Sequence, residues 1–316
     1  MKMNASMLCA PYSLNCFCTV LAFLNSTTYP SKHMGGLGIC HQQSCLFPKL
    51  EEAGYLLYRL QNNSLIYQLM RLMRIYSALQ IGAYHTNHCE DYLLISEVGE
   101  SRTLCAVMDG CTMATDSYFA ATLVGKLLRK IAKEKSYQEL YEPAAFNSLD
   151  GCLKAIIKDL FAELRHVQNQ LMLDERELLT TLVILLLDRK STQGIVLVIG
   201  DGLVGIDGKL HEFDQDNKPD YVGYHLKEDF EAWYSRQQQR VVFDTAKDIS
   251  ITTDGIFTFA SPLQHSMQQP IDPVKFLLTD SSDNENGEML SSKLRLLARA
   301  HGLTPTDDFA MVRIIF

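Results

Sequence analysis

The stretch that decides the fold is ISITTDGIFTFA, residues 249–260, in which an apolar, β-branched run ends on an Asp-Gly pair. Two other runs end in the same way, LCAVMDG at residues 104–110 and VLVIGDG at residues 196–202. An Asp-Gly pair is typical of a two-residue hairpin turn, because both residues tolerate positive φ. A hairpin also requires a returning strand directly after the turn. The residues that follow each pair therefore decide between a turn and the end of a strand.

The residues that follow the three Asp-Gly pairs differ in character. Asp109-Gly110 is followed by CTMATDSYFAATLVGKLLRKIAKE, which has helical spacing, and Asp254-Gly255 is followed by a short apolar run and then Pro262. We therefore interpret these two pairs as strand ends that present an acid. Asp201-Gly202 is followed by LVGIDGKL, so we interpret this pair as an ordinary hairpin turn.

Composition limits the class of protein. The chain has 316 residues, of which 47% are hydrophobic and 21% charged, and this suits one large domain or two small ones with a proper core. The net charge is −8 and there is no basic run, so a nucleic acid is not expected as a partner. The nine cysteines lack a disulfide-framework spacing, which favours reduced thiols and a cytoplasmic location. The apolar run at residues 13–24 is too short to span a bilayer.

Residues 1–81 are predicted to form an N-terminal extension, partly loop and partly helical. Glycines and polar residues dominate residues 30–45, whereas the apolar spacing in residues 49–81 predicts one or two amphipathic helices. Packing on the following domain is the expected use of these helices, and partner binding or oligomerisation is the alternative. The main domain is predicted to comprise residues 82–316.

The main domain is rich in strands and has a few long helices. Strands are predicted at residues 92–95, 104–108, 240–243, 249–253 and 309–316, with a meander of three apolar runs at residues 180–188, 194–202 and 203–210. Helical spacing predicts helices at residues 117–133, 149–173 and 289–301. Strands grouped in this way predict an α+β fold in which helices cover sheets.

Carboxylates stand at the ends of the predicted strands. Glu90 and Asp91 open one strand, Asp109 and Asp254 each close another, and the pair Asp307-Asp308 opens the last one. An isolated ionised carboxylate is costly in an apolar setting, and a hard divalent cation would offset that cost. Mg²⁺ and Mn²⁺ prefer oxygen ligands, so the acids predict a metal centre. The glycine after each Asp allows close approach of the backbone, whose carbonyl could itself be a ligand.

The ordered set CEDY, VMDG, VIGDG, TTDGIF and TDDFAMV resembles the motif series of the metal-dependent, type 2C (PPM-type) protein serine/threonine phosphatases. The resemblance covers about residues 82–316. It implies two antiparallel sheets packed face to face and flanked by helices, an αββα sandwich, with a two-metal site at one end. It also implies Mn²⁺ or Mg²⁺ as cofactor and a phosphorylated protein as substrate.

The resemblance further implies a role for each acid. Asp109 would bridge both ions, and the Gly110 carbonyl would assist it. Asp254 and Asp307 would hold one ion, whereas Glu90 and Asp91 would act mainly through bound water. Asp201 matches a family acid near a weaker third metal.

The sequence departs from the family pattern at three positions. Thr86 stands where members usually carry an Arg that grips the substrate phosphate, and Thr cannot make the bidentate contacts of an Arg. Cys111 replaces a histidine common in eukaryotic members, so proton donation to the leaving group would fall to His85 or to a metal-bound water. Thr258 replaces an acid often found four residues after Asp254, which makes a third metal less secure. A surface histidine without a role is the alternative for His85.

Two functions from different classes remain open. The first is an active phosphomonoesterase that hydrolyses phosphoserine or phosphothreonine in proteins, with a water activated by two metal ions and no protein nucleophile. The second is a degenerate phosphatase fold that serves as a binding or regulatory module, as the missing Arg suggests. A third, unrelated alternative is a β-rich protein whose Asp-Gly pairs are only turns. The costly set of acids favours activity.

Overall fold

Two five-stranded antiparallel sheets form the centre of the protein. A computed structural model describes residues 73–142, 146–215, 220–261 and 271–316. The first sheet has the order β1 (Arg74–Gln80), β12 (Phe309–Ile315), β9 (Asp248–Thr252), β6 (Gly202–Ile206) and β7 (Lys209–Phe213). The second has the order β2 (Tyr92–Val98), β3 (Arg102–Met108), β4 (Leu182–Asp188), β5 (Gly194–Ile199) and β8 (Arg240–Phe243). A small third sheet pairs β10 (Phe259–Ala260) with β11 (Thr304–Pro305).

Five α-helices lie in the described ranges: α1 (Ser117–Tyr141), α2 (Leu149–Leu171), α3 (Phe230–Arg236), α4 (Pro273–Leu278) and α5 (Met289–His301). The long helix α2 begins at a Ser148 cap, whose side chain accepts a hydrogen bond from the Gly151 N–H. None of the helices in these ranges is long and apolar enough to cross a membrane.

The continuous apolar run of β4 explains the layered packing. Successive side chains of a strand point to opposite faces. On one face Leu182, Ile184 and Leu186 pack with α1 and α2, and on the other face the alternate residues pack against the first sheet. Helices α4 and α5 cover the outer face of the first sheet. The predicted αββα sandwich is confirmed.

Most predicted elements are confirmed, and two have the predicted bounds: β8 at Arg240–Phe243 and α5 at Met289–His301. The helical prediction for the end of the N-terminal extension is wrong, because Arg74–Gln80 forms the strand β1. Tyr76 and Ala78 alternate into the core, and the whole strand pairs with β12. The sandwich thus includes residues N-terminal to the predicted boundary at residue 82. Residues 1–72, which hold the other predictions for the extension, lie outside the described residues.

The interpretation of Asp201-Gly202 as a hairpin turn is also wrong. Strand β5 belongs to the second sheet and β6 to the first, so the chain crosses between the sheets at Gly200 and Asp201. The hairpin between β6 and β7 instead turns at Asp207-Gly208, where φ is 49° and 81°. The predicted meander is therefore two separate antiparallel pairs, β4 with β5 and β6 with β7.

Candidate active site

Strand register brings the predicted acids to one end of the sandwich. Tyr92 pairs with Met108 across β2 and β3, so Asp91, just before β2, lies beside Asp109, just after β3. Met311 pairs with Thr252 across β12 and β9, which brings the start of β12 near the end of β9. The Asp307-Asp308 pair and Asp254 flank these two ends.

Asp91 is a buried carboxylate at the centre of this group, with 3% of its surface exposed. Its Oδ2 accepts a 2.7 Å hydrogen bond from Thr253 Oγ1, whereas its buried Oδ1 has no hydrogen-bond partner in the described structure. Burial raises the pKa of Asp91; hydrogen bonding with Thr253 and with Asp109 lowers it in part, and the nearby carboxylates of Asp254 and Asp308 raise it further. The ionised form of Asp91 is therefore unfavourable in this environment.

Asp109 is fixed through its backbone. Its N–H donates to Thr181 Oγ1 at 3.1 Å, and its carbonyl accepts hydrogen bonds from the Thr181 N–H at 2.9 Å and Thr180 Oγ1 at 2.8 Å. Burial raises the pKa of Asp109 well above its ordinary value, as do the neighbouring charges of Asp91 and Asp254. The strand end thus holds this carboxyl against the repulsion of its neighbours.

Gly110 occupies a place that no other residue fits. Its N–H donates to the Glu90 carbonyl at 3.2 Å, and a Cβ on Gly110 would lie 2.0 Å from the Ser117 carbonyl oxygen. Gly255 is equally confined, since its Cβ would lie 1.8 Å from the Asp308 carbonyl oxygen. The glycines after Asp109 and Asp254 therefore permit close backbone packing, as the sequence predicts.

Asp254 and Asp201 extend the acidic group. Burial raises the pKa of Asp254, and the charge of Asp307 raises it further. Burial also raises the pKa of Asp201 to about 6, with contributions from Asp254 and Asp214. The buried Oδ1 of Asp201 has no hydrogen-bond partner in the part of the chain that the structure describes.

Glu90 is tied to the segment that follows Gly110. Its Oε1 accepts a 2.5 Å hydrogen bond from Ser117 Oγ, and its Oε2 accepts one of 2.9 Å from Thr112 Oγ1. Both carboxylate oxygens are thus held by hydroxyl groups. Glu90 differs in this respect from Asp91 and Asp201, each of which keeps one buried oxygen unpartnered.

His85 lies against Asp308, the acid that directly follows the predicted ligand Asp307. His85 Nδ1 lies 2.9 Å from Asp308 Oδ2, and His85 Nε2 lies 3.6 Å from Asp307 Oδ1. The buried Asp308 also accepts hydrogen bonds from the N–H groups of Gly82, at 2.7 Å, and Glu90. Burial lowers the pKa of His85, but the surrounding carboxylates outweigh this effect and raise it overall. Thr86, beside His85, is exposed.

The donor set fits a hard divalent cation. Its side-chain donors are carboxylate oxygens, two of them buried and unpartnered, and no described Lys or Arg forms an ion pair with Asp91, Asp109, Asp201 or Asp254. His85 is the basic side chain that pairs with acids at this end. Among the described residues, no three acid, His or Cys side chains lie close enough to hold an ion in the present arrangement. The acids would have to approach one another on binding.

Comparison with known proteins identifies the family. The model of the protein phosphatase 2C family matches residues 82–295. This match covers more than half of the chain, so the chain belongs to the protein phosphatase 2C family. No curated protein matches the sequence.

Solved structures of phosphatases are similar to this chain. An arginine-to-glutamate variant of a bacterial serine phosphatase is 15% identical, with 77% of this chain and 98% of that chain covered and a TM-score of 0.51. The Bacillus subtilis SpoIIE phosphatase domain with a fragment of its regulatory domain is 16% identical over 77% of this chain and 63% of that chain, with a TM-score of 0.47. The match thus spans less than two thirds of that SpoIIE chain. Staphylococcus aureus Stp1 is 13% identical over 78% of this chain and 95% of that chain, with a TM-score of 0.48.

His225 lies between the carboxylates of Asp220 and Glu228, in a segment that contacts the residues around Asp109. His225 Nδ1 lies 2.6 Å from Glu228 Oε1, and Nε2 lies 2.7 Å from Asp220 Oδ2. Only the protonated imidazole can donate to both acids. The same segment donates from the Val222 N–H to the Thr180 carbonyl, and Thr180 in turn hydrogen-bonds Asp109. His225 thus stabilises a segment that contacts the backbone support of Asp109.

The stability contributed by His225 should depend on pH. Burial lowers the pKa of His225, but its hydrogen bonds to Asp220 and Glu228 outweigh burial and raise the pKa overall. A raised pKa contributes stability that is fully present below about pH 6.5 and is lost as pH rises through the folded-state pKa. We expect His225→Gln to lower Tm by at least about 2–4 °C at pH 6 and by less at pH 9, as measured by differential scanning calorimetry.

His211→Gln is the matched control for this titration. Burial lowers the pKa of His211, as does the charge of Lys209, so its loss should not lower Tm at pH 6. A decrease in Tm for His225→Gln that is equal at pH 6 and pH 9 would show that the protonated imidazole contributes nothing.

Proposed function

We propose that the protein is a metal-dependent phosphomonoesterase that removes phosphate from phosphoserine and phosphothreonine in proteins. The observation that carries this proposal is the group of half-buried and buried acids, with raised pKa values and unpartnered oxygens, in a chain of the protein phosphatase 2C family. Such acids require a positive partner to ionise at neutral pH. Oxygen donors favour Mn²⁺ or Mg²⁺ as that partner.

Each acid has a proposed part in holding these ions. Asp109 would hold both ions with assistance from the Gly110 carbonyl, and Asp254 and Asp307 would hold one of the ions. Glu90 and Asp91 would act mainly through bound water, and Asp201 would serve a weaker third ion. Divalent ions held by these residues would supply an acidified water as nucleophile and would neutralise charge on the phosphoryl oxygens.

His85 is the proposed proton donor to the leaving group. His85 Nδ1 lies 2.9 Å from Asp308 Oδ2, and Nε2, on the other side of the ring, lies 3.6 Å from Asp307 Oδ1. A proton on Nε2 is then available for the oxygen of the departing serine or threonine. Thr86, next to His85 in the same exposed segment, is the proposed contact for the substrate phosphate.

A binding or regulatory module without turnover is the second candidate. The exposed Thr86 favours it, because a Thr hydroxyl holds phosphate less firmly than an Arg guanidinium. The binding or regulatory module is also favoured by the spacing of the acids, because no three of the described acid, His or Cys side chains lie close enough to hold an ion. Turnover of p-nitrophenyl phosphate distinguishes the two candidates, since only the enzyme releases nitrophenol.

We also propose a cytoplasmic location for the protein. Cys89, Cys105, Cys111 and Cys152 are all free thiols in the described structure. Unpaired thiols are typical of reducing compartments. Burial raises the pKa of Cys105 to about 12, so this thiol is an unreactive part of the core.

The assignment of Asp109 as bridging ligand predicts the effect of one charge. Asp109→Asn keeps the size of the side chain and removes its charge, so it should lower kcat for p-nitrophenyl phosphate by more than about 100-fold, the upper range for residues that only support metal ligands. Activity of the wild type should disappear in excess chelator and return with Mn²⁺ or Mg²⁺. Steady-state kinetics and the circular dichroism spectrum of the variant check both points.

Asp207→Asn is the matched control, because it makes the same change at an Asp-Gly pair that forms a hairpin turn. Asn tolerates the positive φ of that position, so activity should stay near that of the wild type. Near wild-type kcat in Asp109→Asn, or full activity in chelator, would rule out the proposed metal chemistry.

The departure at Thr86 predicts a gain of phosphate binding. Thr86→Arg should create a charge-assisted contact to the phosphoryl oxygens worth about 1.5–3 kcal/mol before ordering costs. We expect KM for a phosphopeptide to fall about 10-fold, with a smaller change in kcat. Thr86→Gln, which adds length without charge, should leave KM nearly unchanged.

His85→Ala is the companion variant in the same kinetics. It should slow turnover or weaken phosphate binding, and Thr86→Arg in the double variant should rescue only the binding. Unchanged KM in Thr86→Arg together with unchanged kinetics in His85→Ala would remove both residues from the proposed site.

A further inference from the structure

Four side chains with aromatic or apolar surfaces are exposed around the acids. Tyr84 is 80% exposed and Met113 is 89% exposed. Tyr118 is also exposed and packs against the exposed ring of His88 in a tilted arrangement, with ring centroids 4.4 Å apart. We call these four residues, Tyr84, His88, Met113 and Tyr118, the rim.

The rim is fixed to the acids by hydrogen bonds. Glu90 accepts from Thr112, directly before Met113, and from Ser117, directly before Tyr118. On the other side, the Tyr84 N–H donates to the Thr306 carbonyl at 3.0 Å, next to Asp307. The rim therefore has a defined position relative to the site, although its side chains are free to contact another molecule.

The side chains of Tyr84 and Met113 leave most of their surface open to a bound molecule. Tyr and Met are enriched at interfaces, Tyr because it combines apolar area with a polar tip and Met because it adapts to irregular partners. The rim has this composition, and it adjoins a proposed catalytic site.

We propose that the rim is the docking surface for the substrate segment on either side of the phosphorylated residue, and that it selects an apolar or aromatic side chain there. This inference rests on the proposed function. When the phosphate of a phosphoserine lies at the acids, the neighbouring residues of the same chain lie within a few residues' reach of the rim, because an extended peptide advances about 3.3 Å per residue. The molecule that contacts the rim is therefore the part of the substrate chain next to the phosphoserine.

Charge supports an apolar rather than an acidic neighbour. The carboxylates of Glu90 and Asp307 border the rim, and Asp116 is exposed in the segment that carries Met113. No described Lys or Arg pairs with these three acids. An acidic residue beside the phosphoserine would meet like charges, whereas an apolar residue would bury against Tyr84 and Met113.

Three phosphoserine peptides that differ at one flanking position, Leu, Ser or Asp, test the selectivity of the wild-type protein in saturating Mn²⁺. We expect kcat/KM for the Leu peptide to exceed that for the Ser peptide by about 5-fold or more, since burial of one Leu side chain is worth that factor or more. The Asp peptide should be the poorest substrate. The double variant Tyr84→Ser/Met113→Ser should bring the Leu-to-Ser ratio close to one.

The double variant Tyr141→Ser/Met172→Ser is the matched control, because these side chains are 85% and 89% exposed and lie in other elements, at the end of α1 and after α2. It should keep the wild-type ratio. Equal kcat/KM for the Leu and Ser peptides in the wild type, or an unchanged ratio in Tyr84→Ser/Met113→Ser, would overturn the rim proposal.

Turnover of p-nitrophenyl phosphate by the wild type separates this proposal from the proposed function. If nitrophenol is released while the peptides show no preference, the rim proposal fails and the proposed function stands. If no nitrophenol is released, the proposed function fails, and fluorescence polarisation of the same labelled peptides decides on the rim. Tighter binding of the Leu peptide that is lost in Tyr84→Ser/Met113→Ser would then support the rim, and equal binding would overturn it.

Discussion

Repulsion between carboxylates that are held together at one end of a sandwich is the constraint on which the rest of this structure depends. Burial and mutual repulsion raise the pKa values of Asp91, Asp109 and Asp254, and two buried acid oxygens have no hydrogen-bond partner in the described residues. Such an arrangement is unfavourable by itself. It persists because the apolar layers fix the strand ends from which the acids project. A bound divalent cation would relieve the repulsion between these carboxylates, and this relief would contribute to the affinity for the ion.

Local packing around the acids serves the same constraint. Gly110 and Gly255 let the backbone of neighbouring segments approach closer than any Cβ would allow. Threonine hydroxyls then fix the strand ends, as Thr253 does for Asp91 and Thr181 for Asp109. The acids therefore have limited freedom to separate, although they would still have to approach one another to hold an ion.

The sequence was sufficient to predict what depends on local pattern. The grouping of strands and helices predicts an α+β fold with helices over sheets, whereas the αββα layers are what the family resemblance implies, and the strand ends at Asp109 and Asp254 follow from the residues after them. Properties set by distant partners were missed. Asp201-Gly202 has the composition of a hairpin, but the sheet to which each flanking strand belongs depends on pairing with β9 and β4. The alternation of buried and exposed residues in Arg74–Gln80 is too short to outweigh the helical spacing before it. The contact of His85 with Asp308 joins residues at opposite ends of the domain sequence, so local pattern does not predict it.

Calorimetric titration with Mn²⁺ tests the central claim, that these acids form a site for divalent cations, without reference to turnover. We expect saturable binding to the wild type and to the turn variant Asp207→Asn, and binding at least about 10-fold weaker in Asp109→Asn, since loss of a ligand should cost no less than loss of a residue that supports one. Absence of saturable heat in the wild type, or equal affinity in Asp109→Asn, would contradict the account.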